Sequence, residues 1–260
     1  MKNPKLILAA AAVLLLAGWG FIAWRWLGSR SQPEPAQPAA SPAPVVWDDT
    51  HLGDSNDDDR YIYSALFPVL RDHPAAEDFN RAMTAFVQAE IDRFIQNSAV
   101  AAESNPAETG SGSMLDIQYG VLFNRQGLFS VVLHKTELVE GFERPGEFDL
   151  PINYDLGNRR VLALKDLFLP DADFYPKLAE LCTNDLKSRI RAEDQVTPLT
   201  LASQEETFRT WHLTPAGIEM IFNFSQLGTT TASGSLSVLI PYDEVSALLD
   251  PNGPLRWAIK

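Results

Sequence analysis

The run from Leu6 to Trp24 contains only Leu, Ile, Ala, Val, Gly, Phe and Trp. A bilayer core of ~30 Å is crossed by a helix of ~20 such residues. A helix satisfies its own backbone in lipid, which an open strand does not. The run is therefore expected to span a membrane, with the rest of the chain carried as a body on a tether. A cleaved signal peptide is the rival reading, with Lys2 and Lys5 as its basic leader and Ala39 to Ala43 offering small residues. The apolar part of such a peptide is usually ~7–15 residues, shorter than this run. Trp24, Arg25, Trp26 and Arg30 follow directly, and aromatics beside arginines suit a membrane interface better than a peptidase site. We therefore expect a short cytoplasmic tail over 1–5 and an uncleaved anchor over 6–27. The only cysteine, Cys182, is too far downstream to carry a lipid. Two lysines face two arginines across the span, so the positive-inside bias is weak. The spacer that follows argues for a body outside a bacterial cytoplasmic membrane.

That spacer holds Pro33, Pro35, Pro38, Pro42 and Pro44 among Ala, Ser and Gln. It has nothing to bury and is expected to be semi-rigid and polyproline-like. Beyond it the charge changes sign. Residues 45–260 carry 17 basic and 33 acidic side chains, a net of −16. Such a surface repels nucleic acid and excludes it as a partner class. Solubility is the expected role of this charge, with steering of a cationic partner as the alternative reading. A single cysteine allows no internal disulfide, so the body relies on its core.

Trp47 to Arg60 is rich in aspartate and is expected to be a solvated lead-in, which completes a linker over 28–59. Asp54, Asn56 and Asp58 alternate as in a calcium loop. But Asp59 stands where such a loop needs Gly, and Ala65 where it needs Glu. Arg60 to Leu66 reads as a short buried strand ended by Pro68. His73-Pro74 reads as a helix start. Phe79, Met83, Phe86, Val87, Phe94 and Ile95 then share one helical face, with Ile91 beside them and Glu90 among the polar residues placed elsewhere. Ala99 to Gly112 reads as a polar loop.

Leu115 to Phe123 alternates, turns at Asn124-Arg125-Gln126-Gly127 and returns as Leu128 to Leu138, the pattern of a hairpin. Val139 to Gly146 is a charged loop. Phe148 to Leu156 and Arg160 to Leu164 read as strands about the turn Gly157-Asn158. A helix is expected from Phe174, with Leu178, Leu181, Cys182, Leu186 and Ile190 as its stripe. Phe208 to Leu213, Ile218 to Phe224 and Ser235 to Ile240 read as strands. Thr214-Pro215-Ala216-Gly217 turns between the first two, and a short helix is expected over Asp243 to Leu249. Strand and helix do not alternate regularly, so a doubly wound parallel sheet is disfavoured. The expected fold is α+β: helices on antiparallel sheets in two lobes, 60–150 and 151–260.

No HExxH, CxxC, GxSxG or phosphate-binding glycine loop occurs. His51, His73, His134 and His212 are scattered, and a metal site from His134, His212 and a carboxylate is a minor reading against surface or cross-strand roles. Glu205-Glu206 and Asp243-Glu244 are sequence neighbours that point to different sides, which suits acid–base pairing poorly. Gly228 to Gly234, with its threonines, reads as a hairpin loop before a glycan contact. Cys182 reads as packing. No catalytic residue, metal ligand or cofactor is assigned.

A further pattern runs through Ile152-Asn153-Tyr154-Asp155-Leu156, Leu164-Lys165-Asp166-Leu167-Phe168, Phe208, and Leu213-Thr214-Pro215-Ala216-Gly217-Ile218. It continues in Phe222-Asn223, Gly234, Ile240-Pro241-Tyr242 and Leu248-Leu249. This resembles the exported carboxy-terminal domain of RsiV-type anti-sigma factors. Phe67-Pro68-Val69-Leu70 and Phe79-Asn80 are similar to the small domain that precedes it, which also stands ahead of some peptidoglycan deacetylase domains. The resemblance implies an α+β ectodomain on an anchor. In the anti-sigma members it implies binding of lysozyme, a basic wall hydrolase. Met1 to Lys5 is too short to grip a sigma factor, so that role is not expected. Many relatives carry a Gly-Gly-Ala-His turn where this chain reads Val139-Glu140-Gly141-Phe142-Glu143.

The expectation is a membrane-anchored, non-catalytic binding or sensing domain of the cell envelope. Its partner would be a basic wall protein or peptidoglycan. An envelope hydrolase with an unrecognised site and a structural assembly component are the alternatives.

Overall fold

The computed structural model describes residues 43–57, 60–104, 112–190, 199–224, 226–228 and 234–259. The expected anchor, and its spacer up to Pro42, lie outside them. Among the described residues no helix is long and apolar enough to cross a membrane. Residues 41–260 form one compact unit.

The aspartate-rich stretch is not a lead-in but a strand. β1 (Val46–Asn56) pairs antiparallel with β2 (Tyr61–Arg71) along its whole length, from Val46 opposite Arg71 to Asn56 opposite Tyr61. It is the edge of a six-stranded sheet. Its aspartates fit there because one face and one backbone edge meet water, and charge on an edge discourages further pairing. Asp48 pairs with Arg71, and Trp47 donates its indole N–H to Tyr119 Oη at 3.1 Å.

β2 runs straight through Pro68, where the sequence suggested a stop. The Asn80 side chain accepts from Leu70 N–H at 2.7 Å and donates to Leu70 C=O at 3.2 Å, so this phase of the backbone points away from β1. Pro68 shares that phase, two residues back. The ladder from β2 to the next strand stops at Ala65, so the missing proline N–H removes no hydrogen bond.

α1 (Ala76–Ser104) buries Phe79, Met83, Val87, Ile91 and Phe94 against the sheet, as their spacing required. Glu77 and Asp78 in its first turn suit the positive end of the helix dipole. It runs past the loop expected from Ala99, because Ala99, Ala101 and Ala102 are strong helix formers. α1 carries the chain to β3 (Ser113–Arg125), which pairs parallel to β2. The sheet is therefore mixed rather than antiparallel throughout, and a helical crossover is what a parallel neighbour needs.

β3 and β4 (Leu128–Leu138) form the expected hairpin. Gln126 and Gly127 both have positive φ (59° and 76°), the primed two-residue turn that matches strand twist. β5 (Gly146–Asp155) and the two-residue β6 (Arg160–Val161) complete the sheet. The expected return to Leu164 stops early. Leu164–Leu167 winds into a helical turn, where Asp166 Oδ2 accepts from Ala163 N–H at 2.8 Å.

α2 (Tyr175–Arg189) packs on a second, three-stranded sheet of β7 (Trp211–Leu213), β8 (Gly217–Asn223) and β9 (Ser235–Pro241). β7 is shorter than expected because Glu205–Phe208 forms a helical turn that buries Phe208. α3 (Tyr242–Val245) and a further turn, Ser246–Leu248, match the expected short helix.

Two hydrophobic cores result. One lies between α1 and the large sheet, where Phe79 meets Phe129 and Tyr154 edge-on at 5.3 and 5.2 Å. The other surrounds α2 and the small sheet. The β3–β4 hairpin tip serves the second core through Phe123 and Leu128, while Phe129, Val131 and Leu133 serve the first. β5 runs continuously through residue 150, gives Ile152 and Tyr154 to the first core, and reaches β7 through the Asn153 side chain.

Several residues of the family pattern meet one another here. Thr214 Oγ1 accepts from Ala216 and Gly217 N–H, and the Tyr242 hydroxyl donates to Thr214 C=O at 2.8 Å. Burial pushes the Tyr242 hydroxyl pKa up, which keeps it a donor. A Cβ on Gly217 would lie 2.1 Å from the Ile240 carbonyl oxygen in β9. Gly217→Ala is therefore expected to destabilise the fold by about 2–3 kcal/mol in urea melts, because backbone rather than a flexible side chain must yield.

Candidate binding groove

The sequence-level candidates are dispersed. His51 Nε2 lies 3.1 Å from Ser64 Oγ on the exposed face of β1–β2. His73 Nδ1 accepts from Ala75 N–H ahead of α1. His134 pairs across strands with Asp149 at 2.7 Å, and His212 with Glu219 at 2.9 Å. Glu206 pairs with Arg209, and Asp243-Glu244 sit in α3. Asp54 accepts from Ser55 N–H within β1, while Asp58 and the middle of Gly228 to Gly234 lie outside the described residues. Among the described residues, no three His, Cys, Asp or Glu side chains group as a metal site.

Cys182 is fully buried on α2. Burial, with Asp185 adding negative charge, pushes its thiol up to about 12. The unfolded thiol ionises near 9. Between these values the folded chain keeps a proton that the unfolded chain releases, so stability falls as pH rises through this window. Iodoacetamide at pH 8 is expected to alkylate the folded chain more than about a hundredfold slower than the chain in urea, because the thiol must first be exposed by opening.

The structure instead builds a groove of about 780 Å³ that no single motif announced. Its walls are the last turns of α1 (Asn97, Val100, Ala101, Ser104), the loop after β4 (Val139, Glu140, Phe142, Arg144, Pro145) and the start of β5 (Gly146, Phe148). The 29 residues of α1 span ~43 Å at 1.5 Å each, enough to bring its last turns beside the end of β4. Gly141, at φ 92°, lets the loop turn, and Ser113 Oγ holds it by accepting from Glu140 N–H at 3.0 Å. A Cβ on Gly146 would come within 2.8 Å of the Phe148 ring, so glycine makes room for that aromatic. Phe142 is 72% exposed, Val100 64% and Phe148 45%.

Under this apolar surface lies a set of paired charges. Lys135 Nζ donates to Glu90 Oε2 at 3.1 Å and to Glu137 Oε2 at 2.8 Å, and sits 4.8 Å from the Phe148 ring centre. Arg93 holds both oxygens of Glu90 at 2.9 Å. Glu140, also buried, lies 3.0 Å from Arg60 Nη2. These residues went unassigned in the sequence, although a signal was present. Lys135 shares the inward phase of Phe129, Val131 and Leu133, and Glu90 falls between Val87 and Phe94 on the buried face of α1. A charged residue in a core phase calls for a buried partner.

The groove lies at the far end of the large sheet from the point where the chain enters it. There Val45 exchanges backbone hydrogen bonds with the Asn124 side chain beside the β3–β4 turn. β4 connects that end to the groove over ~36 Å.

Residues 165–243, which lie within the span of the second core, match the family model described as "Protein of unknown function (DUF3298)". A DUF3298 family member from Bacteroides fragilis NCTC 9343 has a similar crystal structure, with a TM-score of 0.58 and 16% identity, covering 83% of this chain and 97% of that one. A DUF3298 family protein from Pseudomonas aeruginosa PAO1 gives 0.50 and 14%, covering 83% and 96%. At these identities the likeness is one of fold. The peptidoglycan-N-acetylmuramic acid deacetylase PdaC of Bacillus subtilis (strain 168) is 22% identical over 174 residues, 66% of this chain. The match spans 36% of that enzyme, about a third of its length.

Proposed function

We propose that this chain is a membrane-anchored, non-catalytic binding or sensing module of the bacterial cell envelope, with a basic wall-active protein such as lysozyme as its partner. The observation that carries this reading is the groove. It presents Phe142, Phe148 and Val100 to solvent at the end of the sheet farthest from Val45, on a body of net charge −16. The resemblance to RsiV-type ectodomains supports the same partner class. The loop at which this chain departs from their Gly-Gly-Ala-His turn is one wall of the groove.

Calorimetric titration of the chain with lysozyme at low and at physiological salt tests this reading. Binding that survives physiological salt is expected. Binding that disappears with salt reflects charge attraction alone and contradicts a shaped site. Wall glycan is the second reading, favoured by the relative whose printed name is a peptidoglycan deacetylase. Retention on purified peptidoglycan without lysozyme binding would select it.

A further inference from the structure

Glu140 has an unusual environment for a carboxylate. Its side chain is 7% exposed, and Arg60 Nη2 lies 3.0 Å from one of its oxygens. Among the described residues, neither of its oxygens accepts a hydrogen bond. An ionised carboxylate offers about four acceptor positions, and leaving them unmet in a buried site is costly. The neighbouring arrangement shows how such a need is met in this fold. Lys135 places its ammonium against Glu137 and over the Phe148 ring, so carboxylate and aromatic face together hold a cation. Glu140 lines the same groove with the Arg60 guanidinium beside it but, among the described residues, no ammonium or aromatic face completing its shell. Glu103 and Glu143, next in sequence to the lining residues Ser104 and Phe142, are exposed, as is Arg144.

We propose that the groove docks a short segment of a partner protein in which an apolar side chain adjoins a lysine. The apolar side chain seats among Val100, Phe142 and Phe148, and the ammonium reaches Glu140 from the groove. This rests on the basic-partner reading above and names the surface and chemistry that reading leaves open. The acidic body supplies long-range attraction, and the apolar seat supplies the part that salt does not screen.

The test uses the full chain and a fluorescent, acetylated peptide of Lys-Leu-Leu-Lys repeats at physiological salt. Its companions carry Ser for every Leu, or Glu for every Lys. The Lys-Leu peptide is expected to bind, and both companions to bind at least about tenfold more weakly. Phe142→Ala and Glu140→Gln are each expected to weaken it about tenfold, while Glu244→Gln, in α3, changes it less than twofold. Phe142 is exposed, so its variant reports on binding even if Glu140→Gln perturbs the fold. Equal binding by Phe142→Ala and the wild type overturns the proposal, as does equal binding of the Ser companion. Displacement of the peptide by a chito-oligosaccharide overturns it in favour of a glycan site. Lysozyme run in parallel separates this proposal from the reading beneath it. Lysozyme that competes with the peptide supports both. Lysozyme bound equally by Phe142→Ala, without competition, keeps the reading and overturns the groove. Peptide bound in the groove without lysozyme binding keeps the groove and overturns the lysozyme reading.

Discussion

Lys135→Met is expected to destabilise the fold by about 3–5 kcal/mol, the usual range when one partner of a buried ion pair is removed. The size follows from what is left behind. Side-chain exposure is 7% for Lys135, 7% for Glu90 and 13% for Glu137. Methionine fills the aliphatic volume, so the loss is electrostatic rather than a cavity. Glu90 keeps Arg93, but Glu137 loses the ammonium that holds it. Adding Glu137→Gln to Lys135→Met removes the stranded charge and is expected to restore part of the loss. Urea denaturation of the two single variants and the double variant measures the coupling. If Lys135→Met alone is neutral, these charges are solvated and the groove floor is wetter than the geometry implies.

Asn153→Leu is expected to cost about 3–4 kcal/mol, because it strands several buried polar groups at once. Asn153 Oδ1 accepts from Ser130 Oγ at 2.7 Å and from Leu213 N–H at 3.1 Å, and its Nδ2 donates to Trp211 C=O at 2.9 Å. These bonds join β4 and β5 of the large sheet to β7 of the small one, so one side chain ties the two cores together. Leucine matches the volume but satisfies neither backbone group of β7. Ser130→Ala is expected to cost less, about 1 kcal/mol, since Asn153 remains to accept from Leu213. A loss in Asn153→Leu confined to the second core, seen as separate transitions by two probes, would show that the cores unfold independently.

The same residue shows how much the sequence disclosed. Ile152-Asn153-Tyr154 was legible as a family signature and as a strand, but not as a junction. Its meaning needs Trp211 and Leu213, 58 and 60 residues away. Local periodicity was enough for α1, whose stripe recurs at helical spacing, and for the β3–β4 hairpin, whose alternation flanks a Gln-Gly turn. It failed at β1, where aspartates on an edge strand look like solvated loop. It failed at Pro68, because whether a proline breaks a strand depends on which neighbour its nitrogen faces. The parallel pairing of β2 with β3 has no local signature, since it depends on where α1 returns the chain. The groove was the least legible feature. It joins Val100 on a helix to Phe142 in a loop and Phe148 on a strand, and each alone is an ordinary apolar residue. The buried charges beneath it left a readable trace in Lys135 and Glu90, which occupy core phases.

Amide hydrogen exchange of the full chain, with and without lysozyme at physiological salt, tests the groove as the recognition surface most directly. Slowed exchange is expected over residues 97–104 and 139–148, at the last turns of α1 and the loop into β5, with β7 to β9 unchanged. Slowed exchange confined to β7 to β9, or none at any position, would contradict it.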